Sequence, residues 1–253
     1  MNKKKFLTVE ETFALAVQNH KKNNLQIAEN LYKEALKINP NHFESIHYLG
    51  ALLAQTKRFD LAKPLLHKAI QINPNYADAH YNLGIALEEL GELQKAISSY
   101  EKAIQIQPNY ADARYNLGIV LQKLGEHQKA ISSFEKAIQL QPNHPDAHNN
   151  LGVALQKLGE HQKAINSFEK AIQINPNYVL AYNNLGKVFR ELNEFNKSAN
   201  YYEKALKLDP NRKETCDGYG NLLLKFNQHA KALSYIKKST GFISFTQKDF
   251  KII

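Results

Sequence analysis

The sequence predicts an all-α chain, a solenoid of antiparallel helix pairs, and three observations carry that prediction. Prolines at 40, 74, 108, 142, 176 and 210 are spaced by 34 residues throughout, with only Pro64 and Pro145 off this register. Between them, apolar residues recur at the helical period of about 3.6, at 79, 83, 86, 87 and 90 and again at 93, 96, 97, 100, 103, 104 and 106. Gly91 separates these two runs. Each periodic proline follows a run such as Ala103 to Gln107 and precedes Asn, the composition of a helix end and a short turn. Seven periods account for 238 of the 253 residues.

Taken in order, residues 1–8 form a basic lead-in carrying Lys3, Lys4 and Lys5. Six helix pairs follow, at 9–42, 43–76, 77–110, 111–144, 145–178 and 179–212. Residues 213–239 form a degenerate seventh repeat acting as a cap, because a repeat that cannot bury its own apolar face needs an atypical end. Residues 240–253 are an apolar tail in which Gly241 to Thr246 reads as extended; it either folds back over the last helix or begins a downstream domain.

Within each period the same residue types recur: Leu83, Gly84, Ala96, Tyr100, Ala103, Pro108; then Leu117, Gly118, Ala130, Phe134, Ala137, Pro142; then Leu151, Gly152, Ala164, Phe168, Ala171, Pro176; and Leu49, Gly50, Ala62, Leu66, Ala69, Pro74. This pattern resembles the tetratricopeptide repeat, and the resemblance covers residues 9 to 246. It implies a right-handed superhelical solenoid in which the first helix of each pair, helix A, lines the concave surface. Glycine and alanine let the helices approach while the aromatic residues fill the space between successive pairs. The first repeat has Ala16 in place of glycine, the sixth has Ser198 in place of alanine, and the seventh has Ser239 and Ser244 where alanine and proline would stand. The family's frequent tryptophan in helix A is replaced by Thr12, Ile46, His80, Arg114, His148, Tyr182 and Cys216, which predicts a looser packing site there.

The resemblance also implies which helix A positions look inward. The sixth reads Ala14, Tyr48, Asn82, Asn116, Asn150, Asn184, Gly218. Asparagine is a poor mid-helix residue, yet its amide offers both acceptor and donors, the complement of a peptide unit. Helices stack about 10 Å apart and extended chain rises about 3.3 Å per residue, so successive rungs meet roughly every third residue of a ligand. The row is similar to the asparagine ladder of the repeat domain of O-linked N-acetylglucosamine transferase. Duplication is the competing explanation, since 111–144 and 145–178 share 25 of 34 residues; but 179–212 keeps only 14 of 34 matches to its predecessor and still has Asn183 and Asn184. Tyr81, Tyr115, Asn149 and Asn183, one residue earlier, flank the ladder. Asp78, Asp112 and Asp146 sit in first turns, where acids favour the helix dipole and cap the turn. At the ninth position Ile85, Ile119 and Val153 give way to Lys187, with Arg190 one turn on; this is either a basic stretch of groove or an exposed pairing with Glu191 or Glu194. A carboxylate clamp of the family's type is not expected, because the second and sixth positions hold no Lys or Arg.

Other chemistries find little support. The net charge of +9 divides into +3 in residues 1–8, +4 in 213–253 and only +2 in the 204 residues between, so no basic stripe favours nucleic acid. No run of about 18 apolar residues spans a bilayer, and Glu10 and Glu11 interrupt a signal-peptide core after Phe6 to Val9. Single Cys216 excludes an internal disulfide and is expected to pack rather than react. His127 and His161 are expected to be solvated, and His144 with His148 lacks a third metal ligand. No nucleotide-binding or hydrolase motif is present. The expectation is therefore a cytoplasmic, non-enzymatic scaffold without cofactor, metal, nucleic-acid or membrane partner, binding a protein or extended peptide through Asn82, Asn116, Asn150 and Asn184, with Tyr81, Tyr115, Asn149, Asn183, Lys187 and Arg190 beside them. The alternative is a substrate-recruiting module of a larger enzyme, of glycosyltransferase or oxygenase type, whose catalytic domain lies outside this chain. Oligomeric state is open.

Overall fold

The computed structural model describes residues 7–240 and the pairing of residues 244–245 with 250–251. Fourteen helices are present among them. The first repeat holds α1 (Val9–Lys21) and α2 (Leu25–Ile38), the second α3 (Phe43–Gln55) and α4 (Phe59–Ile72), the third α5 (Ala77–Glu89) and α6 (Leu93–Ile106). The fourth holds α7 (Ala111–Lys123) and α8 (His127–Leu140), the fifth α9 (Pro145–Lys157) and α10 (His161–Ile174). The sixth holds α11 (Val179–Glu191) and α12 (Phe195–Leu208), and the seventh α13 (Lys213–Lys225) and α14 (His229–Thr240). Both helices of every pair begin 34 residues after their counterparts in the previous pair.

Two local devices set this register. Helix A ends at a residue of positive φ: Gly91, Gly125 and Gly159 at +76° to +77°, Asn23, Asn193 and Asn227 at +56° to +61°, and Lys57 at +59°. Around Gly91 the backbone closes as Gly91 N to Glu88 O, 3.0 Å, and Glu92 N to Leu87 O, 2.8 Å. This is the Schellman pattern, which satisfies two orphan carbonyls. Glycine and asparagine are the residues that adopt this conformation at low cost. Helix B ends because proline forces the preceding residue out of the helical region, as at Asn73 (φ −131°, ψ 90°) and Gln107 (φ −125°, ψ 91°).

Packing within a pair rests on a ring lying where a Cβ would otherwise be. A Cβ on Gly84 would sit 2.5 Å from the Tyr100 ring, on Gly152 2.6 Å from Phe168, and on Gly186 2.7 Å from Tyr202. Ala16 and Tyr32 occupy the equivalent places in the first repeat, both fully buried. Ser198, standing where alanine recurs, is buried but satisfied: its hydroxyl donates to the Gly186 carbonyl at 2.7 Å.

The chain divides into two compact halves, residues 1–126 with α1 to α7 and residues 127–253 with α8 to α14. Each is a stack in which helices pair within a repeat and helix A also meets helix A of the next repeat, as α3 with α5 and α11 with α13. The degenerate seventh repeat is a full helix pair. In the tail, β1 (Ser244–Phe245) pairs antiparallel with β2 (Phe250–Lys251), in keeping with the extended reading there. Most of the lead-in and the rest of the tail lie outside the described residues. No helix among the described residues is long and apolar enough to cross a membrane.

Candidate peptide-binding face

Helix A places its fifth and sixth residues at the seam with the neighbouring A helix, and the asparagines bridge that seam. In the N-terminal half, Asn82 Nδ2 lies 3.2 Å from His47 Nε2 and Asn116 Nδ2 donates to the Tyr81 hydroxyl at 3.3 Å. In the C-terminal half, Asn184 Nδ2 donates to Asn149 Oδ1 at 2.9 Å, and Asn149 Nδ2 to Asn150 Oδ1 at 3.3 Å. The partners of Asn82, Asn116 and Asn184 are 35 residues away, one repeat and one position back. Asn183 extends the seam by accepting from Thr215 Oγ1 at 3.1 Å. Asn82, Asn116 and Asn150 are half-buried, as are Tyr81 and Tyr115, whereas Asn149, Asn183 and Asn184 are buried.

With Asn82 donating, His47 Nε2 accepts and its proton sits on Nδ1, which is buried without a hydrogen-bond partner. Burial lowers the His47 pKa, more than the charge on Asp78 raises it, and so keeps the ring in the neutral form this bond requires. Burial likewise pushes the Tyr81 hydroxyl up to about 12, so it remains a protonated hydroxyl able to accept from Asn116 and to donate onward.

The ladder stops at Gly218 for a steric reason. The Tyr202 ring and hydroxyl fill the space, with a Cβ on Gly218 placed 2.8 Å from the hydroxyl oxygen. That hydroxyl is itself buried without a hydrogen-bond partner.

Three expectations are corrected. The first-turn aspartates lie where an acid favours the helix dipole, but two of them also clasp neighbouring repeats: Tyr110 donates to Asp78 Oδ1 at 2.9 Å and Tyr178 donates to Asp146 Oδ1. Tyr76, the cap residue of α5, makes no side-chain cap bond, and in α9 the cap bond is made by His144 Nδ1, which accepts from Ala147 N at 3.3 Å. Three of the seven residues that replace tryptophan latch their site instead of leaving it loose: His80 Nε2 meets the Pro74 carbonyl at 2.9 Å, His148 Nε2 meets that of Pro142 at 2.9 Å, and Arg114 donates twice to that of Pro108 at 3.1 and 2.7 Å. His127 and His161 are half-buried rather than solvated, with His161 Nδ1 3.7 Å from Glu191 Oε2.

Of the two readings of Lys187 and Arg190, the exposed pairing is set aside: neither pairs with Glu191 or Glu194. Glu191 accepts from Gln156 Nε2 at 2.9 Å, and Glu194 pairs with Lys197 at 2.5 Å. Lys187 is half-buried, and burial lowers its pKa, against the pull of Glu214 and with the repulsion of Arg190, Arg212 and Lys157. Cys216 is buried, its thiol pushed up by burial, and it donates weakly to the Pro210 carbonyl at 3.6 Å; it is a packing residue. Among the described residues no group of three or more His, Cys, Asp or Glu side chains is arranged to hold a metal ion.

Sequence reasoning missed the clasps and latches. Their signals were present: Tyr110 and Tyr178 stand 32 residues after Asp78 and Asp146, and each latch spans six residues back to the periodic proline.

Comparison with known proteins agrees with this architecture. A family model described as tetratricopeptide repeat matches residues 109–177 and 146–211, one described as TPR repeat matches 89–125, and another tetratricopeptide repeat model matches 31–63 and 65–98. Among solved structures, MamA is 31% identical with a TM-score of 0.61, over 66% of this chain and 92% of that one. YrrB, described as a TPR protein with an unusual peptide-binding site, is 22% identical with a TM-score of 0.65, over 73% and 95%. PilF of Pseudomonas aeruginosa is 20% identical with a TM-score of 0.72, over 86% and 97%. No curated protein matches the chain.

Proposed function

The chain belongs to the tetratricopeptide repeat family, a family of protein-interaction modules, and from that premise we propose that it is a non-enzymatic scaffold whose helix A faces hold an extended peptide by the asparagine row. The observation that carries the reading is the return of Asn82 and Asn116 in one half and Asn150 and Asn184 in the other to the same place on the seam between A helices. Asn82 and Asn116 each spend one amide hydrogen on the preceding repeat. The amide oxygen and second hydrogen are then the acceptor and donor offered to a passing peptide unit. The seam bond fixes the rotamer in advance, which lowers the entropic cost of binding. The fold shared with YrrB, whose description includes a peptide-binding site, is in keeping with this reading.

The test is an affinity comparison. A peptide selected on the parent chain from a random-sequence display library is measured by fluorescence anisotropy against the parent and against a variant with all four asparagines changed to Ala. Weakening by at least about tenfold at unchanged helicity is expected, and a change within about 0.5 kcal/mol contradicts the ladder.

A further inference from the structure

Three ladder asparagines reach back one repeat, and of these Asn82 alone does so onto a side chain that ordinarily titrates close to neutral pH. Asn116 donates to the Tyr81 hydroxyl and Asn184 to the Asn149 amide oxygen. Asn82 Nδ2 instead lies 3.2 Å from His47 Nε2. His47 is 5% exposed and hemmed in by three rings: Tyr76 crosses it at 76° with centroids 4.8 Å apart, Tyr48 at 84° and 5.3 Å, and Phe43 stacks on it at 11° and 6.2 Å. Asp78 on α5 supplies the charge that acts on the ring, and the Asp78 backbone adds to it. Glu44, on α3 itself, acts on Tyr76 instead. Among the described residues, α1, α2 and α4, which also pack on α3, bring no charged side chain to bear on His47.

The charge of this ring decides which way the Asn82 amide points. A neutral His47 accepts at Nε2 from Asn82 Nδ2, which leaves the Asn82 oxygen and its second amide hydrogen for a peptide unit. A protonated imidazole carries a hydrogen on both nitrogens, so Nε2 would then face the Asn82 NH2 donor against donor. The three rings obstruct any turning of His47, whereas Asn82 is only half-buried. The amide therefore turns over, and its oxygen accepts from the imidazolium. A peptide N–H that the oxygen had received now meets the Asn82 NH2, and that bond is lost. Burial lowers the His47 pKa more than Asp78 raises it, so this change falls below the ordinary histidine value of 6.5.

We infer that His47 is a positioning residue that sets which groups Asn82 offers the bound segment, so that the first rung of the ladder releases its peptide in acid; the inference rests on the peptide-binding reading above. Binding and proton uptake at His47 oppose one another, so a bound peptide lowers the His47 pKa by the same factor by which protonation weakens the peptide. The rungs at Asn116 and Asn184, tied to a hydroxyl and an amide, keep their orientation over the same pH range.

The probe is a peptide without His, Asp or Glu and with both termini blocked, selected on the full chain at neutral pH from a display library. Its affinity is followed against pH by fluorescence anisotropy for the parent, for His47→Gln, which keeps an acceptor for Asn82 but does not titrate, and for Asn82→Ala. The His47 midpoint is read from the imidazole C–H NMR signals of the parent, free and saturated with peptide. The parent affinity is expected to fall at least about fivefold as pH drops through the free midpoint, and the midpoint to move down on saturation by the matching factor. Both variants are expected to bind with an affinity that stays level over that range. A level parent affinity, a midpoint that does not move on saturation, or an equal fall in His47→Gln or Asn82→Ala overturns the positioning role. If the parent stays level while changing all four asparagines to Ala weakens the peptide at neutral pH, the groove stands and the role of His47 falls. If that fourfold change leaves the neutral-pH affinity unaltered, or no peptide is selected, both fall.

Discussion

The two halves share one backbone and differ in the chemistry of their seams. In the N-terminal half the bridging partners are aromatic and acidic: His47 stacks edge-on to Tyr76, with ring centroids 4.8 Å apart, Tyr81 lies 4.9 Å from Tyr110, and Tyr110 clasps Asp78. In the C-terminal half the bridge is amide to amide, Asn184 to Asn149, beside Lys187 and Arg190. Nothing in the helix register changes between them. Glycine, alanine, proline and the ring opposite the glycine therefore fix the frame, while the fifth, sixth and ninth positions vary within it. A repeat array can in this way present different recognition chemistry without altering its fold.

The sharpest test of a common frame is to insert one methyl group in each half. Gly84→Ala and Gly152→Ala place a Cβ 2.5 and 2.6 Å from the Tyr100 and Phe168 rings, so each is expected to cost about 2–3 kcal/mol. Urea denaturation checks this, and a neutral result in one half breaks the equivalence.

A smaller effect separates the seams. Asn184→Ala leaves the amide of buried Asn149 without its donor and is expected to cost about 1–2 kcal/mol, whereas Asn116→Ala, at a half-buried bond, costs about 0.5 kcal/mol. Equal losses in urea denaturation would mean that the two seams hold equally firmly.

The first two repeats add an ionic clasp. Arg58 donates to both oxygens of buried Glu29, at 3.1 and 2.7 Å, and this bonding, opposed by burial and aided by Lys33, lowers the Glu29 pKa. A carboxylate with a lowered folded pKa contributes stability that is present above its unfolded value, 4.5, and lost as pH falls through the folded one. Arg58→Ala is expected to cost about 1–2 kcal/mol at neutral pH, allowing for the partial exposure of Arg58. Thermal melts of parent and variant should converge as pH drops below 4.5; a constant difference contradicts the ionic origin.

The smallest change concerns the turns. Lys57 alone among the seven turn residues is neither Gly nor Asn. Lys57→Gly is expected to raise stability by about 0.5–1 kcal/mol and Gly159→Lys to lower it by about 1 kcal/mol, both read from melting temperature.

The frame was legible because its residues act locally and repeat. Pro108 stops α6 by the geometry of its own ring, and Gly91 turns the chain by its own φ, so a single period in the sequence reports both. The asparagine row was legible for the same reason. The seam bonds were not, because Asn116 and Tyr81 meet only after two helices have stacked, and a donor's identity does not reveal which acceptor stacking brings to it. Lys187 shows the same limit for one of its two candidate partners: helix packing gave Glu191 to Gln156, 35 residues away, whereas Glu194 pairs locally with Lys197 three residues on.

The measurement that tests the central claim most directly is the side-chain amide NMR spectrum of the labelled chain during titration with a library-selected peptide. The account predicts that the amide resonances of Asn82, Asn116, Asn150 and Asn184 move together to saturation, while those of helix B asparagines such as Asn30 and Asn166 stay in place. Saturating binding that leaves the four asparagine amides unmoved would contradict it.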